Sequence, residues 1–363
     1  MISFNKRTLN MEAGNKCTLQ CSACARQRYR KQGKKIPGKD ITPEQFRKVI
    51  KYFKRVSFCG TFSDPIFNVH FIDILKIAKE ENIKVEVHTA ASHKPERWWQ
   101  EAFLAGGPKA NWIFGIDGLP KDSHKYRVNQ DGEFLFDMML LNKYLGFNPE
   151  WQYIVFDYNK NDIEEAKKLA KQHKLRFMLI TSKRPVSKEI QNVELEEVKD
   201  GQIGWKNSSK ETDGYNSKTL YASIDYKTGE WTPRPMSKVE DKKNKANSLK
   251  PKCLLTNRDL SYSGTGHILP CCWVNTQFND KYVKPLFKDT LKIENNNSVE
   301  EILDKNEWKE FMNVLENNPD DKLPFVCKKY CSVDVERNVE SERKLYENYL
   351  YLRTYHKFYP KYY

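Results

Sequence analysis

Cys17, Cys21 and Cys24 stand in the run Asn15-Lys16-Cys17-Thr18-Leu19-Gln20-Cys21-Ser22-Ala23-Cys24, with three and then two residues between them. A loop this tight turns three thiolates toward one side, which is the chemistry of an iron-sulfur ligand set. Soft thiolates suit iron-sulfur clusters and zinc alike, but structural zinc takes four ligands and no nearby His or Cys completes a set. Three thiolates on a cubane leave one iron without a protein ligand, and an open iron is a reactive iron. The competing reading, a structural zinc loop or three free thiols, stays open at this point.

The elements around the triplet read as βα repetition. An extended segment, Thr8 to Glu12, precedes the cysteines. Thr42-Pro43-Glu44-Gln45 then supplies an N-cap, a proline at the first helical position and a Gln three residues after the cap, which predicts a helix running to about Lys54. Further strands are expected at Arg55 to Cys59, Ile83 to His88, Asn111 to Ile116, Trp151 to Phe156 and Leu175 to Ile180. Helical patterns separate them, around Val69 to Glu81, Pro95 to Leu104, Glu133 to Tyr144 and Asp162 to Gln172. Six βα units of a parallel sheet follow, either doubly wound or a partial barrel. Polar, Gly-rich segments fall where strands end: Cys59 to Pro65, His88 to Ser92, Gly115 to Gly118 and Asp157 to Asn159. Ligands of parallel α/β folds bind at those ends.

Composition sets the outer limits. The chain has 363 residues, 39% hydrophobic and 30% charged, which describes a globular protein with room for one large domain and a smaller one. No apolar run is long enough to span a bilayer and the polar start Met1 to Arg7 is no signal peptide, so a cytoplasmic protein with no membrane partner is expected. The 9 cysteines gather near the two ends, as metal ligands or reduced thiols rather than a disulfide framework. Lys and Arg total 62 against 48 Asp and Glu, a formal net charge of +14. That excess favours anionic partners: an acidic peptide, a phosphorylated substrate or nucleic acid. Lys and Asn scattered along the whole chain, with no compact Arg-aromatic stripe, give an equally good compositional account.

The triplet and the strand-end segments together resemble the radical S-adenosylmethionine (radical SAM) superfamily, most strongly over residues 8–180. The resemblance implies a partial (βα)6 parallel barrel and a 4Fe-4S cluster held by Cys17, Cys21 and Cys24, whose open iron binds the amino and carboxylate groups of S-adenosylmethionine. Gly60-Thr61-Phe62-Ser63-Asp64-Pro65 is similar in position to the family's Gly-Gly-Glu-Pro motif, whose backbone receives the methionine amino group. Ser63 stands there for a glycine and Asp64 for a glutamate. Gly115-Ile116-Asp117-Gly118 resembles the fourth-strand segment near the cofactor's ribose and carboxylate. The cofactor-binding residues so implied are Gly60, Ser63, Asp64, Pro65, Thr89 and Asp117. Arg127, in the stretch where a family member can place a base against that carboxylate, reads better as a solvated helix charge. Ala23 departs from the aromatic residue common before the third cysteine, so adenine stacking must come from elsewhere.

The carboxyl part carries a second cysteine constellation. Cys253 is followed after twelve residues by Gly266, then by four more and Cys271; Cys272 comes next, and Cys327 and Cys331 close a short loop. A hairpin-like segment, Leu260 to Leu269, is expected to project Cys253 and Cys271 toward one point. This resembles the SPASM and twitch auxiliary domains of radical SAM enzymes and implies one auxiliary 4Fe-4S cluster on Cys253, Cys271, Cys327 and Cys331. A zinc knuckle from the same four thiolates remains the alternative. Adjacent side chains of a strand point to opposite faces, so Cys271 and Cys272 do not both ligate one cluster. Cys59 reads as a buried small residue and His88 as an ordinary strand-end histidine.

The division that follows is a partial barrel over 1–185, a linker or insertion over 186–250, an α+β iron-sulfur domain over 251–335 and a helical tail over 336–363. A hairpin-like piece, Tyr221 to Trp231, lies in the linker. No internal repeat, phosphate loop or Ser-His-Asp arrangement stands out. The resemblance implies an enzyme that reductively cleaves S-adenosylmethionine to a 5'-deoxyadenosyl radical and abstracts a hydrogen atom from a substrate. A peptide or protein is the expected substrate, with a flavodoxin or ferredoxin as electron donor. Radical modification of a nucleotide or nucleic acid is one alternative, and a zinc-stabilised nucleic-acid-binding protein without redox activity is another.

Overall fold

The computed structural model describes residues 8–181, 195–198, 202–205, 222–224, 231–233, 253, 259–317 and 323–331. Most of the 186–250 segment and the expected helical tail therefore lie outside the described residues. Six parallel strands form the frame: β1 (Thr8–Met11), β2 (Arg55–Phe58), β3 (Lys84–Thr89), β4 (Ala110–Gly115), β5 (Glu150–Val155) and β6 (Arg176–Thr181). They lie side by side in chain order. Helices α2 (Pro43–Ile50), α3 (Phe71–Glu80), α4 (Glu96–Gly106), α5 (Gly132–Tyr144) and α6 (Ile163–Gln172) connect them; a short α1 (Ala25–Lys31) follows the cysteine triplet. From α2 to α5 each helix packs on the next. Sequential strand order with one helical layer is the winding of a partial barrel, not of a doubly wound sheet.

Local signals account for the elements. Gln45 N–H donates to the Thr42 hydroxyl at 3.2 Å and Thr42 N–H to the Gln45 side-chain oxygen at 3.1 Å, the reciprocal cap expected ahead of α2. The helix ends at Ile50, a turn earlier than the sequence suggests, and Phe53 is buried just beyond it. Aromatic side chains fill the space between α4 and the sheet. Phe103 meets Trp112 edge to face at 4.9 Å, and Trp99 packs on both. Trp151 on β5 is fully buried and donates its indole N–H to the Ile116 carbonyl at 2.8 Å, fixing the chain just before Asp117.

The carboxyl part joins the same sheet. β7 (Leu195–Val198) pairs with β8 (Gln202–Trp205), and β9 (Ala222–Ile224) with β10 (Trp231–Pro233), both antiparallel; the second pair is the expected hairpin of the linker. β11 (Leu260–Tyr262) and β12 (Ile268–Leu269) form the hairpin expected before Cys271. It does not stand apart: β11 runs parallel to β1 with Leu9 opposite Leu260, giving an eight-stranded, mostly parallel sheet in a mixed α/β fold. The reason is β1 itself, whose Leu9 and Met11 are fully buried and whose second edge would otherwise leave its backbone unpaired. Helices α7 (Val299–Leu303), α8 (Asn306–Asn317) and α9 (Phe325–Cys331) complete the described residues. On α8, Trp308, Phe311, Met312 and Leu315 form one buried stripe at helical spacing. Among the described residues no helix is long and apolar enough to cross a membrane.

Removing the central indole tests this frame. Trp151→Ala is expected to lower stability by roughly 3–5 kcal/mol, read as a shift in the urea midpoint, whereas Trp151→Phe loses less because it keeps most of the packing.

Candidate cofactor and metal site

The cysteine loop begins where β1 leaves the sheet. Asn15 donates to the Gly38 carbonyl at 2.6 Å, and the Asn15 carbonyl accepts from Arg26 at the same distance. Cys24 N–H donates to the Cys21 carbonyl at 3.0 Å, which closes the turn between the second and third thiols, and Leu19 N–H points at the Cys17 sulfur at 3.4 Å. Cys21 is buried while Cys17 and Cys24 are half-buried, and all nine cysteines of the chain are free. The neighbouring thiols act on one another electrostatically. Burial, opposed by the Arg127 guanidinium, pushes the Cys21 thiol up to about 11, with Cys24 adding to the rise. Cys17 is pushed up further, by burial first and then by Asp64 and Cys21.

The second loop, Cys59 to Pro65, is organised by two buried carboxylates. Glu12, one residue beyond β1, accepts the backbone N–H of Thr61 at 2.5 Å, of Phe62 at 3.0 Å and of Ser63 at 2.7 Å, and the Ser63 hydroxyl as well. Asp64 accepts the Thr89 hydroxyl at 2.9 Å and the N–H groups of Ala90 at 2.8 Å and Ala91 at 3.1 Å. The Asp64 side chain also caps the turn Pro65–Phe67. Burial raises both carboxyls above their ordinary range, and these hydrogen bonds pull them back. Among the described residues neither forms an ion pair. The two loops are tied together: Asp64 N–H donates to the Lys16 carbonyl at 3.0 Å and Arg26 to the Phe62 carbonyl at 2.5 Å.

At the end of β4, Asp117 is fully buried and pairs with the Arg127 Nε at 2.7 Å. Its other oxygen accepts Ile154 N–H at 2.8 Å, and its carbonyl accepts the Tyr158 hydroxyl. Both carboxylate oxygens of Asp117 are thus engaged by protein groups. Arg127 is not a solvated helix charge: its side chain is 17% exposed and Nη1 stands 3.9 Å from the Cys21 sulfur. Desolvation opposes the Arg127 charge, but Asp117 and Cys21 more than offset it and raise its pKa. Gln130 bridges the Gly115 and Ala90 carbonyls and the Ser123 hydroxyl, joining the ends of β3 and β4.

The carboxyl-terminal thiols divide as their positions suggest. Cys327 is buried, and after desolvation the groups that raise its pKa are Cys253, Cys271 and Cys331, so these four share one neighbourhood. Cys271 is pushed up to about 12, mainly by burial. Cys272 responds instead to Cys59 across the chain, after its own burial. Cys59 is exposed, not the buried small residue expected, because it stands where β2 leaves the sheet; desolvation, Glu12 and Asp64 push its thiol up to about 11. His88 is half-buried beside Glu86, and burial holds its pKa below the ordinary value.

Among the described residues no group of three or more His, Cys, Asp or Glu side chains converges at metal-ligand distances. Thiols must lose their protons to hold a metal, and cations nearby favour that loss. The surroundings of the triplet fit an anionic thiolate cluster. Arg26, Arg30 and Arg127 all act electrostatically on its thiols. Arg26 Nε and Arg30 Nη1 are buried without a hydrogen-bond partner. A cleft of about 610 Å³ is lined by Ser92, His93, Lys94, Gln130, Asp131 and neighbours, and His93 meets the Thr18 hydroxyl of the cysteine loop at 2.9 Å. Its lining includes none of the thiols, nor Glu12 or Asp64, and shares Gln130 with the candidate site.

Gly60, Ser63, Asp64, Pro65 and Thr89 are brought into one network around the Glu12 and Asp64 carboxylates, and Asp117 reaches the cysteine loop through Arg127, which stands beside Cys21. Glu12, Arg26 and Gln130 escaped the sequence reading. The available signal for Glu12 was a charged residue ending an otherwise buried strand; Arg26 and Gln130 offered none.

No family model matches the chain, and no curated protein does. Several solved structures resemble it at low identity. Streptococcus suis SuiB matches with a TM-score of 0.47 and 14% identity over 79% of this chain, which spans 66% of that one. SuiB has also been solved bound to S-adenosylmethionine and to the precursor peptide SuiA. BtrN, in complex with AdoMet and 2-DOIA, matches with a TM-score of 0.41 and 10% identity over 85% of this chain and 87% of that one. Methylornithine synthase (PylB) matches with 0.36 and 16% over 49% and 54%. Likenesses with TM-scores this low carry no argument; the site stands on its own geometry.

A Cβ at Gly60 would lie 2.1 Å from the Ser63 carbonyl oxygen and 2.6 Å from Glu12 Oε1. Gly60→Ala is therefore expected to displace the loop, costing roughly 1–3 kcal/mol, and to speed hydrogen exchange at the Thr61, Phe62 and Ser63 amides. Unchanged protection at those amides would contradict the placement of Glu12.

Proposed function

We propose that the chain is a radical SAM enzyme, with Cys17, Cys21 and Cys24 holding a 4Fe-4S cluster and the Gly60 to Pro65 loop holding the cationic amino-acid end of S-adenosylmethionine. One observation carries this reading. A three-thiol loop set among three guanidinium groups is bonded directly to a loop flanked by two buried carboxylates that have no cation of their own among the described residues. Such a place is built for a ligand that presents a positive charge next to a metal centre, and zinc on three thiols explains only half of it. When bound, the cluster would supply the electron that breaks the sulfur–carbon bond of S-adenosylmethionine, giving a 5'-deoxyadenosyl radical that takes a hydrogen atom from the substrate.

The chain's own residues have separable parts in this reading. Asp64, held by Thr89, Ala90 and Ala91, shapes the turn and keeps a negative charge beneath it. Arg26 clamps the cysteine loop to the cofactor loop through the Asn15 and Phe62 carbonyls. Arg127, buried beside Cys21 and steadied by Asp117, presents a positive charge suited to the cofactor's carboxylate. Cys253, Cys271, Cys327 and Cys331 are proposed to hold an auxiliary 4Fe-4S cluster, supported by their common neighbourhood. The substrate is proposed to be a peptide or protein and the compartment the cytoplasm.

A nucleotide or nucleic-acid substrate is the second reading, and a specific observation favours it. Between Glu12 and Asp40 the sequence has no acidic residue, while Arg28, Lys31, Lys34 and Lys35 are exposed beside the cysteine loop. The same basic segment suits an acidic electron donor such as a flavodoxin or ferredoxin.

The deciding experiment is anaerobic reconstitution with iron and sulfide, an iron count, and an assay of 5'-deoxyadenosine after adding S-adenosylmethionine and dithionite. About eight irons per chain are expected, falling to about four in a Cys327→Ala, Cys331→Ala double variant. Cleavage should disappear in Cys24→Ala. A preparation that takes up zinc and releases no 5'-deoxyadenosine would overturn the radical reading.

A further inference from the structure

We propose that Glu12 is the positioning residue for the cationic end of the cofactor, and that Asn275 ties its carboxylate to the carboxyl-terminal segment, so that both parts of the chain set the cofactor loop. This rests on the proposed function and assigns a residue that the motif resemblance does not include.

The backbone of Glu12 is held in the sheet, its N–H donating to the Tyr262 carbonyl at 3.0 Å. Its side chain reaches over the end of β2 and gathers three consecutive backbone N–H groups, those of Thr61, Phe62 and Ser63. In a planar trans peptide the C=O points opposite to the N–H. The carbonyls of Gly60, Thr61 and Phe62 therefore face away from Glu12, on the far side of the loop. Arg26 occupies the Phe62 carbonyl; among the described residues no donor meets the carbonyls of Gly60 or Thr61. One carboxylate thus turns a short loop into a row of outward acceptors, with a negative charge behind them. An ammonium group, with three N–H donors and a positive charge, is the ligand that such a row recognises.

The charge matters as well as the shape. A buried carboxylate without a cation is costly, and hydrogen bonds from neutral groups offset only part of the cost. A bound cation recovers the remainder. Glutamine in this place keeps the size but turns an N–H₂ group against N–H donors, so the loop loses both its anchor and its charge.

The link to the other part of the chain is Asn275. It lies in the 3₁₀ turn Cys272–Thr276, directly after Cys271, and is 2% exposed. Its Nδ2 donates to Glu12 Oε2 at 3.4 Å, while its Oδ1 is buried without a hydrogen-bond partner. That unpartnered acceptor stands beside the Glu12 carboxylate, on the N–H side of the loop, where it can accept from a loop N–H as the loop adjusts to its ligand.

The test is equilibrium binding of three probes to the reconstituted full chain, its Glu12→Gln variant and its Asn275→Ala variant. S-adenosylmethionine and S-adenosylhomocysteine both carry the ammonium group; 5'-methylthioadenosine lacks the amino-acid end. Glu12→Gln is expected to raise the dissociation constants of the first two by about tenfold or more and that of the third by less than about twofold. Asn275→Ala should give the same pattern at about threefold. Iron content should match the unaltered chain in both variants. A penalty equal for all three probes would assign Glu12 a purely structural role and overturn the proposal, as would unchanged binding. If Glu12→Gln fails to fold, Asn275→Ala decides by the same pattern, because it leaves the carboxylate in place. Failure of the unaltered chain to bind any probe would overturn the cofactor reading and this proposal with it; binding by the unaltered chain with no change in the variants would overturn only the proposal.

Discussion

Two carboxylates buried without cations among the described residues, Glu12 and Asp64, are the constraint on which the rest of the candidate site depends. Each replaces water with a set of N–H and O–H donors, and each set comes from a different strand end: residues 61–63 for Glu12, and Thr89 to Ala91 for Asp64. Satisfying both at once fixes the loop after β2 against the strand ends on either side. The cysteine loop is then positioned by what that loop leaves available, the Asp64 N–H and the Phe62 carbonyl.

The same economy explains why the carboxyl-terminal hairpin enters the main sheet. β1 carries Glu12 at its end and needs partners on both edges to hold that residue still; β2 supplies one and β11 the other. Gly264 in the hairpin approaches so closely that a Cβ there would lie 2.8 Å from the Gly14 carbonyl oxygen, and one at Gly38 would strike the Gly264 backbone at 2.6 Å. Gly38 also adopts φ +102, a conformation that glycine alone takes without strain. The segment bearing Cys271 is therefore locked to the cysteine loop by backbone contact, and Asn275 continues that connection to Glu12.

Much of this was legible before the structure. Alternating apolar runs and the Thr42 to Gln45 cap placed the six strands and five connecting helices to within a few residues, because local periodicity and capping are local physics. Winding was not legible: the order of strands depends on crossovers that no single segment encodes. α1 was missed because Ala25 to Lys31 is rich in basic residues and has no apolar stripe. Of the candidate site, the thiol triplet stood out by its spacing, and the Gly60 to Pro65 loop by its place at a strand end and its resemblance to a family motif. Arg127 read as a surface charge because its partner Asp117 is ten residues away and buried by tertiary packing. Glu12 looked like the polar end of a strand, since its donors lie some fifty residues further along the chain. Side chains that act across the sheet carry no periodic signature, and these are the ones the sequence concealed.

In the proposed site the triplet leaves one iron open beside a cation-binding loop, where S-adenosylmethionine would bind the cluster itself. Electron paramagnetic resonance of the reduced, reconstituted Cys327→Ala, Cys331→Ala chain isolates the first cluster. A 4Fe-4S signal is expected whose g-values shift when S-adenosylmethionine is added and which is absent when Cys24 is also replaced. A signal indifferent to S-adenosylmethionine, or no iron-sulfur signal at all, would contradict it.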